Sequence, residues 1–170
     1  PLATQGGDVT INYGTTPTYT ITPNMGYSIT AVTVNGTPVT FTPNASGIAT
    51  ITLAPITANA TITATIAIKT YTITATAGTN GTITPSGVAT INYNTNSSAY
   101  IFTPDAGYEV ADVTIDGFSL GAVTAFQFVN VTANHTIHVT FQLITCEVPM
   151  NTYVTNITQT TATLNWNNTG

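Results

Sequence analysis

The chain has 170 residues, 42% of them apolar, which is enough to bury cores in one large or two small domains. Charged residues make up only 4%, with a net charge of −5 and Lys69 as the sole Lys or Arg, so the 41 threonines and the amides carry solubility. Lacking a basic patch to neutralise phosphates, the chain is not expected to bind nucleic acid or anionic lipid, and no apolar run approaches the roughly 20 residues of a membrane-spanning helix.

Threonine, valine, isoleucine and tyrosine suit a pleated, half-buried surface, whereas strong helix formers are scarce, so the chain is expected to be all-β. From the N-terminus, "INYGTTPTYTITPNMGYSITAVTVNG" (11–36) matches "INYNTNSSAYIFTPDAGYEVADVTIDG" (91–117) with one residue inserted, and "ITANATITATI" (56–66) matches "VTANHTIHVTF" (131–141). These predict two tandem small β-sandwich or β-grasp-like modules, 1–68 and 69–144, followed by an extended β segment, 145–170. The sequence holds no counterpart of "YTITATAGTN" for the first module, which is therefore expected to lack its first strand.

Within each copy the apolar pairs Tyr27/Ile29 and Val32/Val34, or Tyr108/Val110 and Val113/Ile115, follow period two but lie three apart. That slip predicts a bulge at Thr30-Ala31 and at Ala111-Asp112 that keeps both pairs facing the core. Gly26 and Gly107 are expected at positive φ after a Pro-led turn, and Asn35-Gly36 and Asp116-Gly117 in type I′ hairpins.

Alternation continues through "TITATIAIKTYTITATA" (61–77), where its phase flips at Lys69-Thr70. One strand should run into the next with almost no linker, favouring modules stacked end to end as a stiff rod. The second module should then hold strands Tyr71–Ala77, Gly81–Pro85, Ala89–Tyr93, Ser98–Thr103, Tyr108–Ile115, Ala125–Val129 and Thr136–Ile144. Cys146, the lone cysteine, is either a buried thiol or half of a disulfide whose partner lies outside this chain.

Through "TITATAGTNGTITPSG", "FTPDAGYEVADVTIDG" and "NVTANHTIHVTF", both modules resemble the divergent InlB B-type repeat of bacterial surface proteins over most of residues 5–143. The tail, with Pro149, Ile157, "TTATLNW" and Trp166, is similar to the first two strands of a fibronectin type III domain. In bacterial domains of that kind a cysteine just before the proline often pairs with a later one, which makes Cys146 a candidate disulfide half. The resemblance implies a secreted, multi-repeat adhesin or stalk, and it brings no catalytic residues.

The chemistry-bearing residues are few. Asp105, Glu109, Asp112 and Asp116 are four of the six acids and are candidates for a calcium site. They align with Asn24, Ser28, Ala31 and Asn35, however, so the pattern shared by the copies is that of turns and a strand. His135 and His138, three apart, fall on opposite faces of a strand, which is unsuited to joint ligation. No nucleophile elbow or phosphate loop is present, and neither enzymatic activity nor a cofactor is expected. Nine Asn-x-Ser/Thr sequons, including Asn35, Asn44, Asn80 and Asn130, read as glycan acceptors in a eukaryotic secreted chain or as Asn and Thr alternating at turns in a bacterial one. Tyr13, Tyr19, Tyr27, Tyr93, Tyr100 and Tyr108 could form a sugar platform, although matched tyrosines more often belong to cores.

With one lysine in the chain, sheet edges lack the usual charged guards. A first module short of a strand and a Thr-rich tail suggest that Tyr153 to Trp166, including Ile157 and Leu164, adds as a strand to module one of the next subunit, giving an open filament. The expected role is an extracellular, cell-surface fibre or adhesin stalk whose partners are further copies or neighbouring repeats. The alternative is a carbohydrate-binding module using surface tyrosines and acidic loops.

Overall fold

The computed structural model describes residues 6–145 and 150–167, and these form strands and turns with no helix. The strands of the first unit are β1 (Thr18–Ile21), β2 (Tyr27–Val34), β3 (Thr37–Pro38), β4 (Ala49–Thr52) and β5 (Ile62–Ile68). The second unit comprises β6 (Thr70–Ala77), β7 (Gly81–Thr84), β8 (Gly87–Asn92), β9 (Tyr100–Pro104), β10 (Tyr108–Ile115), β11 (Phe118–Ser119), β12 (Ala125–Phe126) and β13 (His135–Leu143). Beyond them lie β14 (Met150–Thr155) and β15 (Thr163–Asn167).

In the second unit a five-stranded sheet, β11-β10-β13-β6-β8, faces a three-stranded one, β12-β9-β7. Ile73, Ala75, Val110, Val113, Ile137 and Val139 from the first sheet meet Ile83, Tyr100 and Phe102 from the second in one buried cluster, completed by Phe128 and Val131. The tyrosine is 1% exposed, and its burial raises the phenol's pKa above the ordinary value. The first unit has the smaller sheets β3-β2-β5 and β1-β4 around Ile29, Val32, Ala49, Ile51 and Leu53. Alternation places every second side chain along the longer strands of the two units in these clusters, the arrangement of a sandwich.

The slip in period appears as a bulge in both units. Pairing of β2 with β5 shifts between Ile29 and Ala31, and pairing of β10 with β13 shifts between Val110 and Asp112. The extra residue, Thr30 or Ala111, restores the phase, so Ile29 and Val32, like Val110 and Val113, are all buried. Asn35 and Gly36 have φ of 51° and 79°, and Asp116 and Gly117 have 51° and 84°, the doubly positive pair of a type I′ turn. Gly26 and Gly107, at 81° and 85°, take the left-handed conformation expected of them.

Of the seven strands expected in the second unit, Tyr108–Ile115 keeps both ends; those expected over Tyr71–Ala77, Gly81–Pro85 and Ala89–Tyr93 run Thr70–Ala77, Gly81–Thr84 and Gly87–Asn92, and the other three differ as well. The one expected over Ala125–Val129 stops at Phe126, because the Phe128 N–H donates to Ser97 Oγ (3.1 Å) and leaves the ladder. The one expected from Ser98 begins at Tyr100, since Ser97 Oγ in turn donates to the Ser98 carbonyl. The last begins at His135 and ends at Leu143.

Candidate functional site: the joint between units and the open edge of β5

The carboxylates do not converge. Asp105 lies in the turn before β10, where its carbonyl accepts from Tyr108 N (3.0 Å). Glu109 Oε1 accepts from Gln142 Nε2 across the β10–β13 ladder (2.8 Å). Asp112 Oδ1 accepts from Ser119 Oγ (2.7 Å) and Gly121 N (2.9 Å), tying down the chain after β11. Asp116 Oδ1 accepts from Thr136 N (2.7 Å), while its Oδ2 meets His135 Nδ1 (2.7 Å). Asn35 Oδ1 accepts from Thr61 N (2.8 Å) at the matching place in the first unit, so Asp116 keeps the asparagine's task and adds a partner. No group of three His, Cys, Asp or Glu side chains placed to hold a metal occurs among the described residues.

Partial burial works to raise the pKa of Asp116, but hydrogen bonds from His135 and Thr136 and the charge of His135 outweigh it and hold the carboxyl below the ordinary 3.8. The histidines serve different neighbours: His135 stacks on Phe128 (centroids 4.7 Å apart), and His138 Nδ1 bonds to Thr76 Oγ1 (2.8 Å).

Several sequon asparagines have backbone tasks. Asn80 and Asn130 take positive φ (71° and 50°). Asn44 Oδ1 accepts from Ser46 N and Ile48 N (3.0 Å each), and Asn134 Oδ1 accepts from Thr72 N (2.9 Å).

The arrangement with mechanical meaning lies where the units meet. A single residue, Lys69, separates β5 from β6. Its N–H donates to the Gly26 carbonyl (2.8 Å) and its carbonyl accepts from Tyr93 N (2.9 Å), so one peptide segment is bonded to both units. Gly26 lies directly against the Tyr93 ring, where any side chain at position 26 would collide with it. Tyr71 supports the same ring at a centroid distance of 6.4 Å. Glycine is required at 26 twice over, by its positive φ and by this close approach.

The second feature is an edge. In the second unit β13 pairs with β10 on one side and runs parallel to β6 on the other, His135 opposite Ile73 through Val139 opposite Ala77. In the first unit β5 pairs with β2 and ends the sheet. Ile137 and Val139 are 0% exposed, but their counterparts Ile62 and Ala64 are only half-buried. Residues 7–12, which match β8, form no strand, because β8 pairs with β6 and the described first unit holds no such strand.

Of the tyrosines, Tyr100 is in the core, Tyr19, Tyr27, Tyr93 and Tyr108 are half-buried, and Tyr13 is 81% exposed. Tyr153 and Trp166 fall on β14 and β15, which pair antiparallel with each other. Exposed Ile157 lies between those strands and exposed Leu164 on β15, while Cys146 is outside the described residues. Sequence reasoning missed the Gly26–Tyr93 contact by assigning paired tyrosines to cores. The signal available was that glycine and tyrosine recur together, at 26 and 13 and again at 107 and 93. No protein-family model, curated protein or solved structure matches the chain.

Proposed function

We propose that the chain is part of an extracellular structural repeat protein, a cell-surface fibre or adhesin stalk, in which stiff sandwich units in series supply reach. One observation carries this reading: the Lys69 joint, a one-residue connection hydrogen-bonded to the units on both sides and packed by Gly26 against Tyr93. A joint so short and so fully bonded leaves little freedom to swivel. The resemblance to InlB B-type repeats points to the same role.

The open edge of β5 supports a second element of the reading, growth by strand addition. A strand laid parallel to β5 would cover Ile62 and Ala64 as β6 covers Ile137 and Val139. The donor is the segment Tyr153 to Trp166 of a preceding copy, which must open its β14–β15 pairing to serve. Sedimentation velocity and negative-stain imaging of the whole chain over a wide concentration range test this. Elongated multimers that disappear when the chain is ended at Thr145 are expected. A monomer of the same shape at every concentration would refute polymerisation by the tail, and a compact particle would refute the stalk.

A further inference from the structure

The elements that make the internal joint are present twice, and in each case only one is engaged. The turn presenting Tyr93 is fixed by Asn94 N donating to the Val131 carbonyl (2.7 Å), Thr95 Oγ1 to the Asn92 carbonyl (2.8 Å) and Val131 N to the Thr95 carbonyl (3.0 Å). Tyr13 sits on the same turn: Gly14 N donates to the Ile56 carbonyl (2.8 Å), Thr15 Oγ1 to the Asn12 carbonyl (2.7 Å) and Ile56 N to the Thr15 carbonyl (2.9 Å). Asn94 and Gly14 share positive φ, 59° and 79°.

The receiving side is duplicated as closely. Gly26 and Gly107 follow matching turns, in which Tyr27 N donates to the Asn24 carbonyl and Tyr108 N to the Asp105 carbonyl, both at 3.0 Å. The Gly26 carbonyl accepts from Lys69 N (2.8 Å), as the Gly107 carbonyl accepts from Ile144 N (2.9 Å). Yet among the described residues a Cβ at Gly107 would meet nothing within 4 Å, while Tyr13 is 81% exposed. A glycine held at positive φ beside open space and a large aromatic held out into solvent are the two halves of the contact already formed between Gly26 and Tyr93.

We infer that the Gly107 face of one copy receives Tyr13 of a second copy, repeating between molecules the joint that Gly26 and Tyr93 make within one. The partner is thus a second copy of this chain, aligned head to tail, with Tyr13 N facing the Ile144 carbonyl of its neighbour as Tyr93 N faces that of Lys69. The pairing is heterologous, so in a head-to-tail series each addition leaves one free Tyr13 and one free Gly107 for the next copy. This joint deepens the fibre reading and rests on it, by specifying how successive copies are placed.

Cysteine cross-linking tests the joint in the whole chain with C146S as background. A Cβ at Gly26 would lie 2.8 Å from Tyr93 Cγ, which is one bond from the Tyr93 Cβ, so the two Cβ atoms lie no farther apart than the about 4.5 Å that a disulfide can span. G26C/Y93C should therefore close internally on mild oxidation and serves as the geometric control. A mixture of Y13C and G107C chains should form disulfide-linked dimers at least about tenfold faster than Y13C mixed with V88C, whose site is 69% exposed. Equal rates would overturn the joint, and so would protection of G107C from a small thiol reagent in dilute monomer, since the chain's own segment would then cover that face. Sedimentation of the unmodified chain separates the readings: elongated multimers with equal cross-linking rates would leave the fibre standing with a different contact, whereas a persistent monomer with equal rates would remove both.

Discussion

The two units share a bulge, a type I′ hairpin and a tyrosine-bearing turn, yet the second buries Ile137 and Val139 fully while the first leaves Ile62 and Ala64 half-covered. The difference is one strand. In the second unit β6 lies between β13 and β8 and satisfies the backbone groups of both that face it. In the first, β5 is an edge and, among the described residues, 7–12 join no sheet. A single central strand thus sets whether its two neighbours belong to the sheet, since each backbone N–H and C=O needs a partner.

Changes to the bulge should separate the units most strongly. Deleting Ala111 moves either Tyr108 and Val110 or Val113 and Ile115 to the wrong face. The second unit should fail to fold, losing its dispersed amide NMR signals while those of the first persist. Next come the matched core positions: I137A should cost about 3–5 kcal/mol and I62A about 1–2 kcal/mol in chemical denaturation, because a half-covered site loses less packing. Equal costs would mean that β5 is covered in solution, and amide exchange along β5 would then show protection matching that of β13.

A smaller contrast concerns the glycines. G107A should cost about 1–2 kcal/mol, the penalty for a side chain at positive φ. G26A carries the same penalty and must also displace the Tyr93 ring, so it should cost about 1 kcal/mol more and lower the barrier to bending between units. The least effect is expected at Asp116. Its folded pKa lies below the ordinary value, so its contribution is complete above about 3.8 and fades as the pH falls through the folded pKa. D116N, which gives the second unit the residue found at Asn35, should keep the bond to Thr136 N and remove this acid dependence. A stability difference between wild type and D116N that persisted at the lowest pH would contradict the assignment.

The sequence disclosed local features well. The Tyr-x-Val-x-x-Val-x-Ile spacing of β10 permits one arrangement with both pairs inward, and Asn-Gly and Asp-Gly demand their turn. Less legible was anything depending on residues far apart in the chain. Parallel pairing of β13 with β6 leaves no mark in either strand's own alternation. The Gly26–Tyr93 contact resembles ordinary repeat similarity until the two ends are seen to meet. Asp116 and His135 gave no warning of their ion pair, because the matching Asn35 and Ala60 make none and the turn needs only an acceptor. The early end of β12 came from one hydroxyl, Ser97 Oγ, that no periodicity reveals.

The connection at Lys69 holds the units by amide-to-carbonyl bonds and by a ring resting on bare backbone, and the one ion pair among the described residues, His135–Asp116, lies elsewhere. Ionic strength screens charges but scarcely touches contacts of that kind. A spacer made this way would keep nearly the same persistence length in fresh water and in brine.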